Sequence, residues 1–436
     1  MKLKQYKSRV LILLVITLLF AMNTTNMVAV SVSNDDGGKA LPADSYVNHD
    51  FIAILGNEDF FQQASLENWD GSGTSEDPII ISGYRIQMAR HLLRVVNTDL
   101  HFVFENNYLD GVDGTWCGLY LANATNGVIR NTIVVNSAIS FHMINIHNCT
   151  MVDNILYDNY NEGVVLELVC TGNTIANNHI YNNHKSGILL DFGNENNIVA
   201  NNTIHDNGGS GVEFWPDSAE YSAKDNIVSN NTISHQSLGI SLQGYRNLIA
   251  NNAIINSYHT GVLCGGSDNI ISDNVIFNGR RDGVRLYSYA ARNLITHNSI
   301  HNNTQFGVRI SSSCDNNTIS ANDLIGNNVT QQTWDDGEGN IFTQNYICSW
   351  NAPDDNSDGI VDNAYPIAGE SENFDAEPSA TPNCELPSWY TYVAVSGTSN
   401  AESGAEFDVF LIQASVAVFL IGILLVLAIM RVRSLR

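Results

Sequence analysis

The chain has 436 residues, of which 44% are hydrophobic, so it is long enough to bury a large core. It carries 45 acidic and 20 basic side chains, which gives a formal net charge of −25 at pH 7. Nucleic acid and anionic membrane surfaces would repel such a chain, and no basic groove that could follow a phosphate backbone is evident. We therefore expect no nucleic-acid partner.

Both ends of the chain have the composition of membrane-targeting segments. Four basic residues among the first nine precede the apolar run 10–22, which predicts an export signal over residues 1–30. Residues 409–430 are almost wholly apolar and long enough to cross ~30 Å of hydrocarbon. The basic tail 431–436 favours a cytoplasmic C-terminus. We expect a single-pass protein of the cell membrane whose body lies outside the cell.

The middle of the chain is a repeat with a period of 21 to 29 residues. Each copy has an Asn-x-Ile-x-x-Asn segment followed by a Gly-Val-x-Leu segment, and short apolar pieces with period-two alternation indicate strands. A repeat of this length with three short strands is typical of one coil of a parallel β-helix. The repeated asparagines that we use as anchors are Asn107, Asn131, Asn154, Asn178, Asn202, Asn231, Asn252, Asn274, Asn298, Asn322 and Asn345.

These asparagines are interpreted as structural. A bend between strands needs a residue that tolerates left-handed backbone angles, and Asn and Gly adopt them at least cost. When every coil has Asn at the same bend, the side-chain amides can stack at the ~4.8 Å spacing of neighbouring strands and hydrogen-bond along the axis.

The predicted fold class is an all-β, single-stranded, right-handed parallel β-helix of about eleven coils, with an N-terminal cap and one C-terminal transmembrane helix. We assign residues 31–77 to the cap, because the open end of a β-helix must be covered, and residues 78–350 to the β-helix. Residues 351–376 form an acidic C-terminal cap, and residues 377–408, rich in Ser, Ala, Gly, Pro and Glu, a stalk.

Several segments carry a resemblance to a known family. The glycine-rich segment from Gly71 to Ile86, the Asn-x-Ile coils, the tetrapeptide Trp334-Asp-Asp-Gly337 and the segment Asp358 to Ile367 resemble NosD-type or pectate-lyase-like parallel β-helix proteins, especially surface-anchored archaeal ones. This resemblance implies the fold. It does not select an activity, because that superfamily includes lyases, glycosidases, binding proteins and copper-maturation accessories. The calcium-binding Asp cluster of pectate lyases, with its arginine, has no clear counterpart here.

No copper or zinc site is expected from the Cys and His positions. No pair among the seven cysteines has metal-ligand spacing, and histidines such as His179 and His205 fall at different repeat positions. Most cysteines are expected to be small core residues. Disulfides between Cys149 and Cys170, or between Cys348 and Cys384, are the pairings that we leave open.

The Gly-Val-x-Leu segments predict one outward face of the β-helix. In each segment the Val and Leu point inward, so the residue between them and the residue after Leu point outward. The first outward column is Tyr120, His142, Val165, Leu189, Glu213, Ser241, Leu263, Arg285 and Arg309. The second is Ala122, Ile144, Glu167, Asp191, Trp215, Gln243, Gly265, Tyr287 and Ser311.

Three carboxylates on this face, Glu167, Asp191 and Glu213, are the candidate catalytic residues. Carboxylates on adjacent coils begin ~5 Å apart, and side-chain directions can widen this to the separation that glycosidases use. Crowding would raise one carboxyl pKa and place an acid beside a base. An uninvolved, solvated surface with chance stacking of acids is the alternative for the same residues.

The candidate substrate-binding residues lie on the same face. Trp215 and Tyr287 offer flat aromatic surfaces to a sugar ring, and Arg285 and Arg309 could hold the carboxylate of an acidic sugar. His142 could contribute a proton transfer.

A second constellation follows the β-helix. Oxygens of Asp354, Asn356, Asp358 and Asp362, with the Ile360 carbonyl, match the first nine positions of a calcium loop of the EF-hand type. Tyr365 stands at the twelfth position in place of the bidentate Glu. A calcium ion that stabilises the C-terminal cap and an unliganded acidic turn are both compatible with this pattern.

Three functions remain open at this point. The favoured one is a membrane-anchored extracellular protein that binds carbohydrate or cell-envelope polymer along the outward face. The alternatives are a polysaccharide hydrolase or lyase that uses the stacked carboxylates, and a structural or adhesive rod whose partner is another surface protein.

Overall fold

The computed structural model describes residues 45–112, 114–215, 222–327, 331–350 and 352–384. All of them belong to one compact unit, Gly37–Ala401. The predicted export signal, membrane segment and tail, and most of the stalk, lie outside the described residues. No helix within the five ranges is long and apolar enough to cross a membrane.

Three long sheets, which we call A, B and C, run through the unit, and each coil gives one short strand to each sheet. Neighbouring strands within a sheet are parallel apart from one antiparallel pair at the C-terminal end. The strands of sheet A are β1 (Val47–Asn48), β4 (Tyr84–Gln87), β7 (Tyr108–Asp110), β10 (Ile133–Val135), β13 (Ile155–Tyr157), β16 (His179–Tyr181), β19 (Thr203–His205), β23 (Thr232–Ser234), β27 (Ala253–Ile255), β30 (Val275–Phe277), β33 (Ser299–His301), β36 (Asp323–Ile325) and β39 (Tyr346–Ile347).

Sheet B is built from the Gly-Val-x-Leu segments. Its strands are β2 (Ile52–Ile54), β5 (Leu93–Thr98), β8 (Leu119–Ala124), β11 (Phe141–Ile144), β14 (Val164–Glu167), β17 (Ile188–Asp191), β20 (Ser210–Trp215), β24 (Leu238–Leu242), β28 (Val262–Cys264), β31 (Val284–Leu286), β34 (Val308–Ile310) and β37 (Thr333–Asp335).

Sheet C is built from the Asn-x-Ile segments. Its strands are β3 (Ile79–Ser82), β6 (Phe102–Glu105), β9 (Gly127–Arg130), β12 (Thr150–Val152), β15 (Thr174–Ala176), β18 (Ile198–Ala200), β22 (Ile227–Ser229), β26 (Leu248–Ala250), β29 (Ile270–Ser272), β32 (Leu294–Thr296), β35 (Thr318–Ser320), β38 (Ile341–Thr343), β41 (Phe374–Asp375) and β40 (Tyr365–Pro366). The strands β21 (Ala223–Lys224) and β25 (Gly244–Tyr245) form a small fourth sheet.

The core lies between the three sheets and is made of columns of like residues. The central residues of successive sheet C strands are in register and almost fully buried, because every second residue of a strand points inward. From one end to the other these are Ile129, Met151, Ile175, Val199, Val228, Ile249, Ile271, Ile295, Ile319 and Phe342. This in-register stacking confirms the predicted all-β solenoid of about eleven coils.

The asparagine ladders exist, and the two asparagines of each Asn-Asn pair have different roles. Asn178 is buried, and both its backbone N and its Nδ2 donate to Oδ1 of Asn202 on the next coil, at 2.9 and 3.0 Å. Asn177 takes the left-handed backbone, with φ 55°. One anchor was wrong by one residue: Asn131 has φ 49°, and Thr132 donates its backbone N to the ladder.

The glycine that begins each sheet B segment is required by packing. A Cβ at Gly187 would lie 2.5 Å from Cγ2 of Ile204 and 2.8 Å from the carbonyl oxygen of Gly211. Equivalent close approaches to an isoleucine methyl on the following coil occur at Gly163, Gly211, Gly239, Gly261 and Gly283. Tolerance of left-handed backbone angles therefore accounts for the asparagines at the bends, and close approach of the next coil accounts for these glycines.

Both ends of the β-helix are covered. At the N-terminal end the helix Asn57–Glu67, which the sequence analysis did not anticipate, places Phe60 against Phe102 with ring centroids 5.6 Å apart. At the C-terminal end Asp375 closes one asparagine ladder, because its Oδ2 accepts the backbone N and Nδ2 of Asn345 at 3.0 and 2.9 Å. Each end thus gives the last coil the partners that a further coil would provide.

The seven cysteines are free thiols. Five of them are buried, as expected for small core residues, and Cys348 and Cys384 are half-buried. The two disulfide pairings left open by the sequence are therefore not formed in this structure.

Candidate functional site

The outward face of sheet B has the register that the sequence predicts. Adjacent strands pair Tyr120 with His142, His142 with Val165, Leu189 with Glu213, and Arg285 with Arg309. The second column is confirmed where Ile144 pairs with Glu167 and Asp191 with Trp215. The register extends each end of the first column by one residue that the sequence analysis omitted, Arg94 on β5 and Trp334 on β37.

The N-terminal part of this face contains a histidine–carboxylate pair. Nε2 of His142 lies 2.7 Å from Oε2 of Glu167, and the two side chains are 18% and 29% exposed. Nδ1 of His142 lies 3.7 Å from Sγ of Cys117. Both side chains are partly exposed, Glu167 more than His142, and the imidazole is close enough to exchange a proton with the carboxylate.

Aromatic rings and an arginine enclose this pair on its N-terminal side. The ring of Tyr120 meets that of His142 edge to face, with centroids 5.5 Å apart, and Cζ of Arg94 lies 5.8 Å from the centre of the Tyr120 ring. His91 packs against Trp116 at 4.9 Å. Burial, followed by the charges of Arg94 and His142, lowers the pKa of His91, which favours its neutral form.

The predicted catalytic carboxylates lie on three adjacent strands of sheet B, and two of them hydrogen-bond to other residue types. Glu167 pairs with His142, and Glu213 accepts a hydrogen bond from Oγ of Ser186. Asp191 lies beside the exposed Trp215 in the strand register. All three carboxylates face the same side of sheet B, but the shortest contacts that Glu167 and Glu213 make are with other residue types.

The C-terminal part of the face contains an aromatic and cationic group. Nε2 of Gln243 donates to the hydroxyl of Tyr287 at 2.7 Å across two coils. The Tyr287 ring crosses the intervening coil at Gly265, where an added Cβ would lie 2.9 Å from the ring. Burial, followed by the charges of Cys264 and Glu213, raises the pKa of the Tyr287 hydroxyl, so it stays protonated and able to donate.

Arg309 continues this group toward the C-terminal end. Its Cζ lies 5.7 Å from the ring centre of Phe306, and that ring packs at 5.4 Å against Trp334. Arg309 therefore has an aromatic neighbour that the sequence columns did not show, because Phe306 precedes its strand.

The acidic loop near the C-terminus is closed on itself by hydrogen bonds. The two carboxylate oxygens of Asp354 accept the backbone N–H groups of Asp358 and Gly359, and Oδ2 of Asp362 accepts that of Asp355. Among the described residues no group of three or more His, Cys, Asp or Glu is placed to hold a metal ion. Calcium binding by Asp354, Asn356, Asp358, Ile360 and Asp362 stays a prediction.

Two histidines that the sequence analysis treated as single residues meet on sheet A. Nε2 of His179 lies 2.7 Å from Nε2 of His205, and Nδ1 of His205 lies 2.7 Å from a carboxylate oxygen of Asp206. Burial and then the charge of His205 lower the pKa of His179 to about 4. The two imidazoles share one hydrogen bond, so at least one of them is neutral.

Three parallel sheets wound into about eleven coils define a right-handed parallel β-helix protein, and this chain is one. Two family matches agree with that class. Residues 93–231 match the family described as right handed beta helix region, and residues 219–374 match the family described as periplasmic copper-binding protein (NosD). The resemblance to NosD-type proteins seen in the sequence is thereby confirmed.

Solved structures with a similar fold include the A-module of the mannuronan C-5 epimerase AlgE6 of Azotobacter vinelandii. It has a TM-score of 0.54 and 16% identity over 67% of this chain and 87% of that chain. The catalytic domain of a GH87 alpha-1,3-glucanase in complex with tetrasaccharides has a TM-score of 0.48 and 12% identity, over 71% of this chain and 68% of that chain. At 16% identity the similarity to the epimerase module shows the fold alone. No curated protein sequence matches the chain.

Proposed function

We propose that this chain binds carbohydrate or a cell-envelope polymer along the outward face of sheet B. The observation that carries the proposal is the side chain of Trp215, which is 55% exposed on that face. Along the face it lies between the His142–Glu167 pair and the group formed by Tyr287 and Arg309. An exposed indole beside a carboxylate, with arginines further along the same face, is a combination that can stack on sugar rings and hydrogen-bond their hydroxyl groups.

The fold is compatible with binding of a long polysaccharide. The structure with a TM-score of 0.54 is named a mannuronan epimerase, so a β-helix of this architecture can act on a long polysaccharide. A sheet with in-register strands gives one flat face along many coils, which suits a linear polymer.

The proposal includes the location of the protein. The apolar segment 409–430 would anchor the chain in the cell membrane with its C-terminus in the cytoplasm, and the export signal 1–30 would deliver residues 31–408 to the outside. A polymer outside the cell could then reach sheet B. Protease accessibility of the β-helix on intact cells, with protection of a C-terminal tag, would test this arrangement.

Binding is tested with the full chain, purified in a mild detergent and applied to a panel of neutral and acidic polysaccharides. We expect Trp215→Ala to weaken retention by about tenfold, because aromatic truncations at a binding centre cost on the order of 1–2 kcal/mol or more. Phe61→Ala is the matched control, since Phe61 is 47% exposed on the cap helix at the N-terminal end of the β-helix, whereas Trp215 lies on β20. Equal retention of both variants and the wild type would argue for a rod whose partner is another protein.

A polysaccharide hydrolase or lyase is the second candidate, and the contact between His142 and Glu167 favours it. In this reading Glu167 exchanges a proton with the sugar. His142 keeps the Glu167 carboxylate in place through their hydrogen bond, and it takes up or returns the proton. Asp191 and Glu213 are the remaining candidate acids on the face.

The enzymatic reading is tested by following new chain ends on the same polysaccharides. We expect Glu167→Gln to abolish turnover while retention survives, because the amide keeps the shape but cannot accept the proton. Glu105→Gln is a matched control, since Glu105 is paired with Arg130 on sheet C at 2.5 Å. If the wild type retains the polysaccharide but produces no new chain ends, the binding function is supported and the enzymatic function is refuted.

A further inference from the structure

Two arginines face each other on adjacent coils of sheet B. Arg285 on β31 and Arg309 on β34 are register partners, which sets their backbones ~4.8 Å apart. Neither makes a salt bridge with a carboxylate in the described part of the chain. Like charges directly opposite on neighbouring strands are destabilising, so the fold alone gives no reason for this pair.

Two arginines that lie just before strands of sheet C, Arg246 before β26 and Arg292 before β32, are paired with acids. Arg246 makes two hydrogen bonds to Asp225, at 2.9 and 2.6 Å, and Arg292 makes two to Asp268, at 2.8 and 2.6 Å. At these two positions an acidic residue on the preceding coil therefore neutralises the arginine. In a protein with a net charge of −25, Arg285 and Arg309 lie directly opposite each other and make no such ion pair within the described ranges.

The surroundings of the pair supply more positive charge than negative. Arg280 and Arg281 are exposed at the start of the same coil. An acid whose charge interacts with the pair is Asp282, which is fully buried and whose Oδ1 accepts the backbone N–H of Phe306. Burial raises the pKa of Asp282, while the charges of Arg309, Arg285 and Arg281 oppose that rise. One buried carboxyl group therefore faces three arginines.

Buried polar atoms without a hydrogen-bond partner cluster here in the described part of the chain, and they include Oδ2 of Asp282 and Oγ1 of Thr333 as well as two N–H donors. Nε of Arg285 and Nε1 of Trp334 are buried and lack a hydrogen-bond partner within the described ranges. Phe306 and Trp334 form an aromatic wall beside the guanidinium of Arg309. Unused N–H donors, two half-buried guanidinium groups and a flat apolar wall together fit a ring that carries an oxyanion.

We infer that Arg285 and Arg309 form a subsite for the oxyanion groups of an acidic polysaccharide, with Phe306 and Trp334 packing against its sugar rings. This inference rests on the proposed function and names its substrate class. The oxyanion is a uronate carboxylate or a sulfate ester, both of which a guanidinium pair can bind through two parallel hydrogen bonds. The overall negative charge repels such polymers elsewhere on the surface, so the subsite also sets where the polymer docks.

The test uses the full chain in mild detergent and two matched pairs of polymers: polygalacturonate with its methyl ester, and dextran sulfate with dextran. We expect one acidic member to bind at least tenfold more tightly than its neutral partner, and the preferred pair identifies the oxyanion. The variant Arg285→Gln/Arg309→Gln should lose that preference, because each charged hydrogen bond contributes about tenfold or more. Arg285→Lys/Arg309→Lys keeps the charge and loses the planar fork, so its affinity should be intermediate.

Arg246→Gln/Arg292→Gln is the control, because it makes the same change in net charge at arginines that are already paired. Loss of acidic-polymer binding in this control as strong as in Arg285→Gln/Arg309→Gln would overturn the inference. Equal binding of acidic and neutral polymers, unaffected by the arginine changes, would overturn it while leaving the proposed function standing. Binding of no polymer at all would overturn both. Melting curves of all variants establish that each is folded.

Discussion

The buried asparagine of each Asn-Asn pair should contribute far more to stability than its exposed neighbour. Asn201 and Asn202 are the same residue type at adjacent positions, but Asn202 is almost fully buried in a ladder, while Asn201 is exposed with φ 57°. The substitutions Asn202→Ala and Asn201→Gly therefore separate the ladder from the bend within one dipeptide.

The expected magnitude follows from the hydrogen bonds of Asn202. Its Oδ1 accepts the backbone N and Nδ2 of Asn178, at 2.9 and 3.0 Å. Its Nδ2 donates to the carbonyl oxygen of Ile175 and to Oδ1 of Asn231, both at 2.9 Å. Truncation removes four buried hydrogen bonds and strands polar partners, at about 1 kcal/mol net for each bond and more for an unsatisfied group. Asn202→Ala should lower the free energy of unfolding by roughly 3–5 kcal/mol.

Asn201→Gly should change the free energy of unfolding by no more than about 0.5 kcal/mol, because glycine adopts the left-handed backbone readily. Denaturant unfolding gives both values, and hydrogen exchange locates the defect, since the Asn178 amide loses its acceptor in Asn202→Ala. Similar effects of the two substitutions, or a loss below about 1 kcal/mol for Asn202→Ala, would refute the ladder as a main source of stability.

Three further predictions concern packing, protonation and the C-terminal end. Gly187→Ala should lower stability by about 1–3 kcal/mol in denaturant unfolding, because the new methyl group would meet Ile204 on the next coil at 2.5 Å. The pKa of His179 falls from an unfolded value near 6.5 to about 4, so the wild type should lose stability as pH falls through that window. His179→Gln should reduce the drop in melting temperature between pH 7 and pH 5. Asp375→Ala should cost about 1–3 kcal/mol because Asn345 loses its acceptor, and Asp375→Asn should cost less, as melting curves of the two variants will show.

The backbone architecture was predictable from the sequence because the repeat specifies it many times. Period-two alternation within Gly-Val-x-Leu gave the inward and outward residues of sheet B, and the observed pairing of Leu189 with Glu213 and of Arg285 with Arg309 confirms them. The one-residue error at Asn131 arose where a coil has Thr132 in place of the ladder asparagine. The pattern occurs once in each coil, so an atypical coil offers no further residues from which its alignment could be corrected.

Side-chain contacts between coils were not predictable in the same way. The predicted columns pair residues whose Cα atoms are in register. The side chain of His142 instead contacts Glu167, which lies two residues along the strand from Val165, the register partner of His142. His179 and His205 are also diagonal neighbours, since His205 is in register with Tyr181. Diagonal neighbours on a sheet lie within reach of long side chains, and rotamers decide which contacts form.

Inward residues repeat along the β-helix whereas outward residues change, and this difference sets the length of ligand that can reach both binding regions. Core residues and asparagine ladders repeat on nearly every coil, whereas the outward column changes from His142 on β11 to Arg285 on β31. The carboxylate that His142 contacts, Glu167 on β14, is five strand spacings from Arg285 on β31, which is roughly 24 Å. A saccharide shorter than that distance can engage the Glu167 region or the arginine pair, but not both. Affinity should therefore rise steeply once an acidic oligosaccharide series spans it, and a smooth rise with no dependence on Arg285 would place all binding at one end of the face.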